Sequence, residues 1–360
     1  MRFSRRPLWL TAFGLIMAVI MTFPIAGHVR AARPHAITGK VGFLFSDFTT
    51  SLRWYNDDRP FFIADLKALD PGVTVIVSDA KAAQINQDNQ AKSDLTQGVK
   101  ALIDVPVADA SGVVRAAHQN SPPVPVLAYD RLITGAKVDA YASFNGYAVG
   151  VQQGRYLKNH VKKGSTIIEI AGSPTDNNAL LFHNGARSVL DPLIKSGYFK
   201  LGYFKFTPNW TDSVAQQECA SALNKLNNKV QGVLSANDGM AVACIQALKN
   251  QHLNGKVVVT GQDATVPGLQ QILLGNQGMT VYKPVKVLAK NAAHIVDLWL
   301  HGKKFTSSVT TNNKTWNVPS SIASVITVTK KNMASTVIAD GYATKAQICK
   351  GIPASACKGL

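Results

Sequence analysis

The chain has 360 residues, 46% hydrophobic and 16% charged, and carries a net charge of +17. This is a globular composition, and the length suggests two domains rather than one. The lysines fall singly or in pairs (Lys162–Lys163, Lys303–Lys304, Lys330–Lys331), with no basic run interleaved with aromatics, so nucleic acid is not an expected partner.

The first segment is basic at Arg2, Arg5 and Arg6. It is then nearly all apolar from Leu8 to Val29, with a small-residue cleavage site at Val29–Ala31. Residues 1–31 read as an export signal, which predicts a periplasmic or otherwise extracytoplasmic protein; an uncleaved anchor is the alternative. Removing them takes four arginines and no acid from the total of +17, leaving +13. That charge favours solubility and attraction to an anionic membrane surface.

From Gly39 onward, short β-rich runs alternate with amphipathic stretches. The predicted strands are 39–47, 73–80, 99–106 and 124–130, then, after a connecting run at 138–144, 165–173, 199–207, 230–238, 255–263 and 279–283. Helices are predicted from Asn145, from Asp212, from Asp238 and over 285–302, the last stopping at Gly302. Strand, helix, strand repeated this way predicts an α/β fold with parallel sheets. The strand runs lack alternation, as strands covered on both faces do. Their number is too large for one doubly wound sheet, so two lobes are expected, with the first break near residues 140–146.

Ligands in open parallel sheets sit beyond the carboxyl ends of the strands. At or near those ends the chain carries Asp47, Asp79, Asp130–Arg131, Ser173, Asn177–Asn178, Asn237–Asp238, Asp263 and Lys283. Helix capping is the plain explanation for Asp79 and Asp238. It does not serve for Arg131 or Lys283, because a cation is unfavourable at a helix N-terminus. Arg, Asp and Asn suit adjacent hydroxyls, which both donate and accept. Trp54 and Trp210 stand where aromatic platforms for a sugar ring would be needed, although core packing explains an isolated Trp equally well.

Catalytic signatures are missing: there is no GxSxG, HExxH, P-loop or GxGxxG. The only glutamates, Glu169 and Glu218, lie away from the rim, so no enzyme activity and no catalytic residue is expected. With no CxxC and no Cys/His ligand spacing, neither a metal nor a cofactor is expected. Four cysteines in an exported chain permit disulfides in three pairings. The sequence-local pairing, Cys219–Cys244 with Cys349–Cys357, is expected.

The segments AYDRLI, GSPTDNNA, SANDGMA, GQDA and MTVYKP, in this order and spacing, together with VIADGY, resemble the periplasmic D-xylose-binding proteins of ABC sugar importers over about Lys40 to Gly341. The resemblance implies a type I periplasmic binding fold of two doubly wound parallel-sheet lobes joined by a three-crossing hinge. It implies an N-terminal lobe of 38–143 plus 281–308, a C-terminal lobe of 144–280 plus 309–341, and a tail of 342–360 outside the family pattern. Carried over residue by residue, the ligand set would be Arg53, Arg131, Asn178, Trp210, Asn237, Asp263 and Lys283, with Trp54, Asp130 and Asp176 as weaker members. The implied ligand is a monosaccharide, D-xylose above others, and the implied partners are the membrane subunits of an ABC permease, with the chain acting as a monomer. One departure is Asn145–Gly146, where the family has an Asp–Asn pair.

Three rivals stand beside this reading. The same fold could hold ribose, arabinose or glucose, or could serve a chemoreceptor or sensor kinase. A sugar-responsive repressor needs a helix-turn-helix ahead of residue 40, where the export signal lies instead. A carbohydrate-active enzyme is disfavoured by the absence of glutamates at the rim.

Overall fold

The structure, a computed structural model, describes residues 37–49 and 51–360. The segment read as an export signal lies outside the described residues. Among the described residues, no helix is long and apolar enough to cross a membrane.

The strands are β1 (Thr38–Phe45), β2 (Gly72–Asp79), β3 (Val99–Asp104), β4 (Val126–Tyr129), β5 (Ala140–Phe144), β6 (Ser165–Ala171), β7 (Phe199–Phe206), β8 (Gly232–Ser235), β9 (Val258–Val259), β10 (Thr280–Tyr282), β11 (Thr310–Asn312), β12 (Asn317–Ala323) and β13 (Ile326–Val328). The α-helices are α1 (Arg59–Leu69), α2 (Gln84–Thr96), α3 (Ser111–Gln119), α4 (Gly146–His160), α5 (Asn177–Lys195), α6 (Asp212–Lys225), α7 (Asp238–Asn250), α8 (Val266–Leu273), α9 (Val285–Leu300) and α10 (Lys345–Cys349).

One sheet runs β11-β12-β5-β4-β3-β1-β2 and a second runs β7-β6-β8-β9. All neighbours are parallel except β11 with β12. Strand β10 pairs antiparallel with β13 in a separate ribbon. Strand β1 shows why the apolar runs do not alternate. Phe43 and Phe45 pack with Phe62 and Leu66 of α1 and with Leu288, Ile295 and Val296 of α9. Leu44 faces the other way, among Leu95, Leu102, Val113 and Val114. Both faces are covered, and each such side chain contributes about 1.5–3 kcal/mol on burial.

The chain passes between the sheets three times: at Asn145 after β5, at Lys283–Pro284 after β10, and at Ser324–Val325 after β12. The third passage corrects the sequence expectation, which assigns all of 309–341 to the second lobe. Strands β11 and β12 instead extend the first sheet, β12 lying parallel to β5 from Ser320–Tyr141 to Ala323–Phe144. Their residues, TTN and NVPSSIA, are polar and include Pro319, a pattern that reads as loop. The exposed edge of β5, itself read only as a connecting run, supplies the pairing that their composition does not advertise.

The cysteines pair as Cys219–Cys244, which ties α6 to α7, and as Cys349–Cys357 in the tail. The tail is not loose. Ile348 and Cys357 pack with Leu269, Ile272 and Leu273 of α8, and Gln270 Nε2 donates to the carbonyls of Ile348 and Lys350.

One buried acid in the first lobe has a pH consequence. Asp94 of α2 faces β1 at Gly42, where a Cβ would lie 2.5 Å from its Oδ2. It is 2% exposed, and that oxygen accepts no hydrogen bond among the described residues. Burial pushes its carboxyl up to about 6. The folded chain therefore holds this proton more tightly than the unfolded chain does. Its stabilising contribution is present below the ordinary aspartate range and is lost as pH rises through about 6. Asp94→Asn is expected to remove this dependence and to gain about 1–3 kcal/mol over the parent in urea unfolding near pH 8, with little difference near pH 4. Parallel pH profiles for the two proteins would show that Asp94 does not titrate in this way.

Candidate functional site

The carboxyl ends of the strands in both sheets face a shared small cavity. Ser51, Trp54, Asp130 and Arg131 line it from the first lobe; Asp176, Asn178, Phe182, Trp210, Asn237, Gln262 and Asp263 line it from the second; Lys283 projects from the second crossing. A wider cleft of about 1510 Å³ adjoins it and shares Ser51, Trp210, Asn237 and Asp263.

Asp130 follows β4 in the left-handed region, at φ 61°. An aspartate tolerates this better than most side chains do. The turn frees its carbonyl, which accepts from Tyr141 Oη, Ser143 Oγ and Asn178 Nδ2. Its carboxylate meets Arg53 Nη2 at 2.5 Å, Trp54 Nε1 at 3.1 Å and Lys283 Nζ at 4.0 Å. Burial alone would push this carboxyl up, but Arg53, Lys283, Arg131 and the indole N–H together hold it well below the usual carboxylate range.

Arg53 does not line the cavity. It is a buried side chain, bound to Asp58 at 3.2 Å and approaching Asp263 at 3.8 Å. Burial opposes its charge, but Asp130, Asp58 and Asp263 outweigh it and keep the guanidinium protonated. Asp58 also accepts from Tyr129 Oη at 2.6 Å. Burial lifts the Asp58 carboxyl to about 7 against the pull of Arg53. Arg53 thus sets the charge of the wall through Asp130 and Asp263, and the resemblance implies that it also meets the ligand.

Arg131 lies over the Trp54 ring at 4.8 Å and reaches across to Asp176 through Nε at 3.0 Å. Its Nη1 donates to the Pro106 carbonyl at 3.2 Å. Asp176 caps α5 by accepting from the Asn178 amide at 2.9 Å, and its other oxygen accepts from Trp210 Nε1 at 3.1 Å. The Arg131–Asp176 pair and the Asn178–Asp130 hydrogen bond both join one lobe to the other.

Trp210 has positive φ, as does Asn209 before it. For a bulky residue this is a costly backbone state, and such states concentrate at functional sites. The ring lies against Gly172 at the end of β6; a Cβ there would stand 2.1 Å from the ring. The turn and the missing side chain therefore serve one purpose, to lay the indole along the cavity.

Asn237 caps α7, accepting from the Met240 amide at 2.9 Å. Asp238, read from sequence as a cap, does something else: it takes hydrogen bonds from Gln277, from the Thr265 amide and from Thr280. It braces the loop carrying Asp263. Asp263 has φ 97°, its amide donates to Val281 and its carbonyl accepts from Tyr342 Oη at 2.9 Å. Its Oδ1 lies 2.9 Å from Lys283 Nζ, yet neither that oxygen nor Arg53 Nε makes an aligned hydrogen bond among the described residues. Asn145, the family departure, caps α4 through the Ala148 amide.

The structure thus brings nine of the ten ligand candidates to the lining of one cavity and holds Arg53 against two of them, Asp130 and Asp263. Sequence reasoning missed Ser51, Phe182 and Gln262. Phe182 lies four residues after Asn178 on one helix face, a spacing that could have found it. Asp58 and Tyr129, which complete the charge cluster, carried no signal in the sequence. Among the described residues no histidine and no glutamate lines the cavity. Its carboxylates are engaged with cations and with indole or amide donors, an array suited to holding hydroxyls rather than breaking bonds.

Two sheets with their carboxyl ends opposed, three crossings and a small polar cavity between them define a two-lobed binding protein that encloses its ligand. The family description "Periplasmic binding protein domain" matches residues 41–304, and the chain belongs to the periplasmic binding protein family, whose members bind solutes rather than transform them. Its fold is the type I periplasmic binding fold. The chain is 36% identical to the D-xylose-binding periplasmic protein of Escherichia coli (strain K12) over 316 residues, 87% of this chain and 94% of that one. It is 35% identical to the D-xylose-binding periplasmic protein of Haemophilus influenzae over 335 residues, 92% of this chain and 99% of that one. Among solved structures, an ABC transporter solute-binding protein from Clostridium phytofermentans with bound β-D-glucose is similar with a TM-score of 0.78 at 27% identity, over 86% of this chain and 99% of that one.

Proposed function

We propose that this chain captures a monosaccharide, D-xylose above others, between its two lobes and delivers it as a monomer to the membrane subunits of an ABC permease outside the cytoplasm. The observation that carries this reading is the convergence of Arg131, Lys283, Asp130, Asp176, Asp263, Asn178 and Asn237 with two indoles on one small cavity between the lobes. Two relatives of about this length bear D-xylose in their names, which sets the order of preference among sugars.

The mechanism is a trap. Each lobe supplies part of the polar lining, so a sugar binds the closed form far better than the open one and shifts the population toward it. Arg131–Asp176 and Asn178–Asp130 cross the cleft only when the lobes meet. Trp210 limits the space beside the ring and is the residue best placed to exclude an extra hydroxymethyl group. Glucose is the second reading, favoured by the glucose-bound relative. Calorimetric titration with D-xylose, D-glucose, D-ribose and L-arabinose tests both. One-to-one binding with D-xylose tightest is expected. Tighter glucose binding would transfer the assignment to the second reading, and no heat with any sugar would remove the function while leaving the fold.

A further inference from the structure

We propose that Asp70, Asp297 and His301 form a binding site for a divalent transition cation, Zn²⁺ foremost, at the end of the first lobe opposite the sugar cavity. Asp70 follows α1 and precedes β2, at the amino edge of the sheet. Asp297 and His301 stand at the end of α9, which packs on the same face of that sheet as α1. Both helices run away from the cleft, so the three side chains meet at the far end. Asp297 and His301 are spaced i,i+4 on one helical face, while Asp70 comes from 231 residues before His301. No linear motif reveals such a site, which is why ligand spacing in the sequence did not.

The geometry suits a metal. One ligand atom from each residue lies within 4.8 Å of the others. His301 Nε2 is 3.3 Å from Asp70 Oδ1 and 3.3 Å from Asp297 Oδ1. Tetrahedral zinc with bonds of about 2.0–2.1 Å separates its ligand atoms by about 3.3–3.4 Å. Two of the three separations already have that value.

A second observation points the same way. Asp70 is 3% exposed, and its Oδ2 accepts no hydrogen bond among the described residues. A buried carboxylate oxygen without a donor is costly, more so beside a second carboxylate. A divalent cation answers both carboxylates at once, whereas a proton on the imidazole supplies a single charge. His301 is part-exposed, which gives an ion access and leaves room for water as a fourth ligand. One imidazole with two carboxylates suits zinc better than calcium, which takes about 6–8 oxygens. His294 lies 4.0 Å from the other oxygen of Asp297 and is largely exposed, outside the triad. The bound ion would clasp the ends of α1 and α9 and stabilise the lobe by mass action.

The test uses chelator-treated whole protein, titrated with Zn²⁺ alone and compared with Mg²⁺ and Ca²⁺. Expected are one zinc per chain, a raised thermal unfolding midpoint, and the intense visible bands of tetrahedral cobalt when Co²⁺ is substituted. His301→Ala and Asp297→Asn should each weaken Zn²⁺ binding by about tenfold or more, while sugar titrations stay unchanged. No zinc uptake by the parent protein would overturn the proposal. So would equal uptake by both variants, which would place the ion on other histidines.

Discussion

Asp130→Asn is expected to lower the unfolding free energy of the sugar-free protein by about 3–5 kcal/mol, the cost of leaving a buried charge without its partner. The replacement keeps the side chain's shape, and asparagine accepts the left-handed backbone at this position, so little of the loss comes from packing or strain. What it removes is the negative charge between Arg53 and Lys283. Arg53 retains Asp58 at 3.2 Å, but Lys283 retains only Asp263. The effect carries its own pH signature. The Asp130 carboxyl is held well below the usual range in the folded state, so its contribution is fully present above the ordinary aspartate range. It is lost as pH falls through that range toward the depressed value. Urea unfolding across pH should therefore show parent and variant converging in acid. A constant gap at every pH would mean that the variant acts through packing, and no gap at neutral pH would mean that the cluster is solvated.

The rim of the two sheets was legible in the sequence because strand ends can be located from apolar runs and turn residues. That placed Asp130, Arg131, Asn178, Asn237, Asp263 and Lys283 on one side before any contact was known. Depth was not legible. Arg53 follows a strand, as the cavity-lining residues do, and nothing local tells that it packs among Asp58, Asp130 and Asp263. The third crossing failed for a related reason. Strands β11 and β12 are polar and include a proline, and only the edge of β5, far earlier in the chain, recruits that stretch, with Ser320 set opposite Tyr141. The role of Asp238 was misjudged because a cap and a buried brace look alike at the start of a helix. The difference lies in Gln277 and Thr280, which arrive from another element.

Asp263→Ala is expected to weaken binding of the cognate sugar by about 2–5 kcal/mol, roughly thirty- to several-thousand-fold, as for one partner removed from a buried hydrogen-bonded charge pair. Asp263 is one of two carboxylates, with Asp176, that the second lobe directs at the cavity. Its position is fixed by the Val281 and Tyr342 hydrogen bonds at an unusual φ, and its Oδ1 makes no aligned hydrogen bond among the described residues. A sugar hydroxyl is the donor that such an oxygen accepts. Removing the carboxylate also leaves Lys283 with Asp130 at 4.0 Å as its remaining partner, so closure of the lobes becomes less favourable. Calorimetry on the variant, with its thermal midpoint measured to show that it folds, gives the size of the loss. An affinity within about threefold of the parent would take Asp263 out of the ligand set. A panel of monodeoxy sugars separates a direct contact from a general disturbance. If one hydroxyl donates to Asp263, the analogue lacking it should lose much against the parent protein and little further against Asp263→Ala, because the two changes remove the same hydrogen bond. Equal further losses for every analogue would assign the effect to the altered charge of the wall and not to a contact with the sugar.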